Sequence, residues 1–122
     1  MRNEIKIRFE EPVYSIDEEK GTVGCILNCE ICYPEMLEFV GFNDKPLFYT
    51  TATAKLRDGD MWDVNIGKKV SLAKAEQKAY DKTRKICFSK IKELADVIDK
   101  LMIFCDKSFA VCTHNEDYLK QF

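Results

Sequence analysis

From Asp63 onward the chain holds no proline and only one glycine, Gly67, over more than forty residues, so this stretch meets no strong breaker of an α-helix. Asp63 is placed to cap it, because its carboxylate can accept from the free backbone N–H groups of the first turn. Further along, Cys87, Ile91, Leu94, Ile98, Leu101 and Cys105 recur at alternating spacings of four and three. That is a heptad-like apolar seam, able to pack on a sheet or on the helix of a neighbouring subunit, and it points to a homo-oligomer. The pattern slips between Thr83 and Ser89, which leaves one bent helix and a pair of helices equally open. Ser108 to Thr113 reads as a short closing strand, followed by a polar tail to Phe122.

The first part of the chain has the opposite character. Ile5, Ile7 and Phe9 alternate with Lys6 and Arg8, as in a strand with one wet face. Pro12 interrupts, Val13 to Ile16 resumes, and the charged turn Asp17 to Gly21 leads into a second arm, Thr22 to Ile31. In that arm Val23, Cys25, Leu27, Cys29 and Ile31 share the face predicted to be core. Pro34 breaks the run, Met36 to Phe42 is predicted to be a further strand, and Asn43 to Pro46 turns into a threonine-rich strand, Leu47 to Arg57. The expected fold is therefore α+β: an N-terminal antiparallel sheet, a long C-terminal helical segment and a short closing strand. At 122 residues it is expected to be a single domain, with a strand-rich half over 1–58, a helical half over 63–107 and a short strand and tail over 108–122.

Apolar residues make up 46% of the chain and charged residues 33%, the balance of a folded globular protein. The N-terminus lacks the apolar run of a secretory signal and no segment is apolar enough to span a bilayer, so the expected location is the cytoplasm. There the six cysteines would stay reduced thiols. Net charge is −2, unevenly spread: residues 1–62 carry seven basic and twelve acidic side chains, residues 63–107 eleven and seven.

Cys25-x3-Cys29-x2-Cys32 has the ligand spacing of radical enzymes that hold an iron–sulfur cluster, but those enzymes need a large barrel that this chain is too short to build. Cys25 and Cys29 also fall in phase with Val23, Leu27 and Ile31, as small core residues do. The sole histidine, His114, lies in a polar segment with no nucleophile motif beside it. No cofactor and no catalytic activity are expected.

The strand-to-helix junction, Lys55 to Lys69, concentrates groups that could take an anion. They are the N–H groups of a helix start, with Arg57, Lys68 and Lys69 close in sequence. Trp62 offers a flat face for a base, or else anchors the core. Lys68 to Lys92 carries nine basic and two acidic residues, a stretch that suits nucleic acid or a solvated helix face.

At this junction, Ala52-Thr53-Ala54-Lys55, Gly59-Asp60-x-Trp62-Asp63 and Gly67-Lys68-Lys69-x-x-x-Ala73-x-Ala75 resemble small phage and prophage proteins. With a strand-rich first half and a long helical second half, the chain is similar to Thoeris anti-defence proteins of the first type. The resemblance implies a phage-encoded oligomeric sponge that sequesters cyclic ADP-ribose isomers made by bacterial TIR-domain enzymes, in pockets between subunits and without cleavage. No motif carries that family's contacts onto individual residues here, so the ligand-binding candidates follow from chemistry. They are Arg57, Lys68 and Arg84 for a pyrophosphate, Trp62 for adenine, and Asn65 and Asn115 for riboses. The alternative is a phage protein that binds nucleic acid or a host protein through its basic helix, and a third reading is a metal-dependent enzyme using Cys25, Cys29 and Cys32.

Overall fold

The computed structural model describes residues 4–42, 45–55 and 63–122. Its elements are β1 (Lys6–Phe9), β2 (Val13–Asp17), β3 (Thr22–Cys32), a 3₁₀ helix (Glu35–Val40), β4 (Leu47–Lys55) and α1 (Val64–Leu119). An antiparallel sheet of four strands is thus followed by one long helix, an α+β arrangement.

β3 organises the sheet. On one side it pairs with β4, from Thr22 opposite Lys55 to Glu30 opposite Leu47. Its other side takes β2 along its first half and β1 along its second. β1 and β2 therefore act as one strand broken at Pro12, where a missing N–H would spoil a continuous ladder. The β2–β3 turn closes on Gly21, whose φ of 63° is a conformation that costs glycine no Cβ clash.

Because side chains alternate along a strand, the odd residues of β3 all face one way. Val23, Cys25, Leu27, Cys29 and Ile31 are each at most 3% exposed. The same face takes Ile7 and Phe9 from β1, Tyr14 from β2 and Ala52 from β4, together with Ala75, Ala79 and Leu72 of the helix. The helix meets this face through small residues at every fourth position: Gly67, Ser71, Ala75, Ala79 and Thr83. Four of them are buried outright, and at Gly67 an added Cβ would stand 2.6 Å from Cγ2 of Val23. The close approach leaves buried hydroxyls, each satisfied by a helix carbonyl. Thr50 donates to Ala75 O at 2.8 Å, Thr83 to Ala79 O at 2.8 Å and Ser71 to Lys68 O at 3.1 Å.

Two local expectations are corrected. The segment Met36 to Phe42 is not a strand: Glu35–Val40 is a 3₁₀ helix, entered from extended Pro34 and ended by Gly41 at φ 91°. Pro34 starts the turn, and Tyr33 and Phe42, with ring centroids 4.6 Å apart, close it from both ends. Ser108 to Thr113 is not a closing strand but part of α1, which runs on to Leu119 and takes in most of the expected tail. Its β-branched and aromatic content resembles a strand, yet the segment follows helix without a breaker, so extending the helix needs no new nucleus. One helix, not a pair, spans the slip between Thr83 and Ser89.

By its internal packing the chain divides into two compact units, Met1–Lys85 and Ile86–Phe122. The first holds the sheet and the small-residue part of α1. The second is the remainder of the helix and its end. No helix among the described residues is long and apolar enough to cross a membrane.

Candidate functional site

The three clustered cysteines do not converge. Cys25 and Cys29 lie on the core face of β3, buried, whereas Cys32 falls on the other face, at the register position opposite Lys6. A strand directs alternate side chains to opposite faces, so these thiols cannot close on one metal or cluster. No group of three or more potential metal ligands occurs among the described residues. Burial raises the pKa of Cys25, with Glu76 adding to the effect. Burial also raises that of Cys29, partly opposed by Thr50 and Lys82, and its thiol donates to Leu27 O at 3.4 Å. Both are inert core thiols rather than nucleophiles.

Three lysines of the basic stretch of α1 are occupied by the sheet. Lys74 donates from Nζ to Thr53 O at 3.2 Å and Lys78 to Thr51 O at 2.6 Å, while Lys82 stands 4.7 Å from the ring centroid of Phe48. Their four-residue spacing lines three cations along β4 and gives two of its carbonyls a donor, a common way to block an edge strand from pairing with another chain. Arg84 pairs with Asp81 at 3.0 Å and Lys90 with Glu93 at 3.1 Å. The positive charge that suggested nucleic acid is thus mostly committed within the chain.

At the helix start Asp63 is the cap. Its Oδ1 accepts from the backbone N–H of Asn65 at 2.9 Å and of Ile66 at 3.3 Å. Two of the N–H groups that could have met an anion are therefore already bonded to a carboxylate. Lys68, half-buried, places Nζ 5.3 Å from the ring centroid of Tyr14. The Tyr14 hydroxyl has a raised pKa, first from burial and then from Cys25, Glu11 and Glu76. Lys68, Tyr14, Glu76 and Glu11 form a polar margin to the core.

Of the six residues chosen from sequence, Arg57 and Trp62 lie outside the described residues. Asn65 and Lys68 lie together on the first turns of α1, with Asn65 exposed. Arg84 is exposed about 24 Å further along the helix at 1.5 Å per residue, too far to share one pyrophosphate with Lys68 in the same copy. Asn115 is exposed and belongs to the second unit.

The second unit carries the apolar seam that the spacing picked out, together with flanking apolar residues that the seam alone did not include. Ile91, Ile98 and Leu101 of the seam are 58%, 55% and 63% exposed, and Leu94 is only partly covered. Flanking them, Val97, Met102, Phe104 and Phe109 are more than half exposed as well. Assigning Cys87 to position d of a heptad puts those four at g and e, so the apolar band is much wider than a two-position seam. The seam and its flanks could both be read from spacing; their exposure among the described residues could not. Comparison with family models, with curated proteins and with solved structures returns no match.

Proposed function

We propose that this chain is a phage-encoded, non-catalytic binding protein that works as an assembly of identical copies. In this reading it sequesters a cyclic ADP-ribose-type signalling nucleotide without cleaving it, and so inhibits TIR-based bacterial defence. The observation that carries the reading is the second unit's uncovered apolar helix face, which is the surface of a chain built to function in company. The class of ligand rests on the resemblance at the strand-to-helix junction. The rival, nucleic acid on the basic helix, is weakened by the commitment of Lys74, Lys78 and Lys82 to β4.

The test is a thermal-shift screen against cyclic ADP-ribose isomers, cyclic oligonucleotides and short DNA and RNA. A ligand that binds only the folded state, at a hundredfold excess over Kd, adds about 2.7 kcal/mol and raises Tm. The expected result is a shift with a cyclic ADP-ribose isomer, recovered chemically intact after denaturation and reduced by Lys68→Ala. A shift with DNA or RNA alone would replace this reading with its rival.

A further inference from the structure

We infer that the second unit is a self-association surface, on which two copies of this chain pair as parallel, in-register helices through residues 87–119. The inference concerns the assembly part of the proposed function and is independent of the nucleotide.

Three observations carry it. The first is extent. The exposed apolar side chains of this unit amount to on the order of 1,000 Å² in the single chain, well beyond the roughly 300–600 Å² of the largest patch on an ordinary monomer. It also matches the roughly 800 Å² that each partner contributes to a standard stable interface.

The second is the order of residue types. With Cys87 at d, position a takes Ile91, Ile98, Cys105 and Cys112, and position d takes Leu94 and Leu101. β-Branched residues at a with leucine at d is the arrangement that favours two parallel strands, because each layer then packs a residue against its own copy. Parallel register also sets the polar members of the seam, Ser108 and Asn115, against their own copies rather than against isoleucine. Of the four g-to-e′ pairs of that arrangement, Val97 with Met102 and Phe104 with Phe109 are wholly apolar, while Lys90 meets Ala95 and Val111 meets Glu116, so no two charges face each other there.

The third is charge. Lys92, Glu93, Asp99, Lys100, Asp106 and Lys107 all fall at b and c, away from the seam, so two copies meet without facing like charges. Asn115 thereby gains a different role from the ribose contact suggested by its chemistry: it sets register.

The arrangement places Cys105 opposite Cys105 and Cys112 opposite Cys112, at a positions whose Cα atoms in a parallel pair lie about 6 Å apart, within disulfide reach. This supplies the test. Full-length variants retaining either Cys105 or Cys112 as the only cysteine outside β3, with Cys87 changed to serine, are treated with diamide. Two thiols lose their hydrogens, one Sγ–Sγ bond forms, and the diazene takes up both hydrogens to become the hydrazine. Each variant is expected to give a covalent dimer on non-reducing gels, and the uncrosslinked wild type to show at least twice the chain mass by light scattering. Leu101→Lys should lower that mass and abolish both crosslinks while the strand signal of the first unit persists.

Crosslinking through one cysteine but not the other overturns the parallel register, since an antiparallel pair can bring only one of the two positions opposite itself. A monomeric wild type at tens of micromolar, or Leu101→Lys leaving mass and crosslinks unchanged, overturns the surface itself. Crosslinks at both positions with no nucleotide shift would uphold this inference and remove the ligand reading alone. A nucleotide shift in a protein that forms neither crosslink would do the reverse.

Discussion

Gly67, Ser71, Ala75, Ala79 and Thr83 lie on the same uninterrupted helix as Ile91, Leu94, Ile98 and Leu101, yet the two sets meet opposite fates. The small residues are largely buried against the sheet, and three of the four larger ones are more than half exposed. Their spacings differ accordingly. Steps of four residues turn about 40° further than one helical turn, so the small stripe walks around the helix as it crosses a twisted sheet. Steps of four and three average 3.5, which keeps a seam straight along a partner helix. One element therefore carries two packing codes, the first answered within the chain and the second, on the inference above, directed to another copy.

The sharpest way to break this comparison is a pair of matched deletions. Leu27→Ala removes a side chain that is 1% exposed from a complete core, and should cost about 2–5 kcal/mol in urea unfolding, the same at every protein concentration. Leu101→Ala should instead act through association, with an effect on Tm that grows as protein concentration rises. Concentration-independent behaviour of both variants would mean that the second unit is not covered by copies.

Insertion probes the same contrast with a smaller effect. Ala75, fully buried under the sheet, cannot accept leucine without moving β3 or the helix, so Ala75→Leu should destabilise by about 1–3 kcal/mol. Ala110, exposed at an outward f position, should accept leucine with a change within about 0.5 kcal/mol. A similar cost at both sites would show that Ala110 also faces a packed surface.

These contrasts explain what was legible in the sequence. The β2–β3 hairpin, the odd face of β3, the Asp63 cap and the continuous helical run follow from local alternation, turn chemistry and the lack of breakers, and all are present. Met36 to Phe42 and Ser108 to Thr113 read as strands but are helical, because apolar and β-branched content alone does not separate a short strand from a helical turn. The separation of Cys32 from Cys25 and Cys29 depends only on parity along a strand, so it was readable once β3 was recognised. The lysine cover of β4 was not. It depends on which helix face lies at the sheet edge, a tertiary fact that charge composition cannot express. Lys68 and Asn65 sit where the junction argument expected them, but their N–H neighbours are already taken by Asp63.

The thiols give the finest division between the regions. Cys25 and Cys29 are held protonated by burial, each with a pKa raised above the usual 9.0, and Tyr14 is raised from 10.0. Below about pH 9 both folded and unfolded chains keep these protons, so the groups make no difference to stability. As pH rises through 9 the unfolded chain releases protons that the folded chain retains, and the first unit loses stability. The loss should appear as a falling alkaline limb in urea midpoints, and Cys25→Ala with Cys29→Ala should flatten it. The same thiols should resist alkylation at pH 8 to an extent set by the first unit's opening, regardless of protein concentration. Cys105 and Cys112, exposed in the single chain, should gain protection only as concentration rises and copies cover them. If all four thiols responded alike to dilution, the second unit's protection would not come from association.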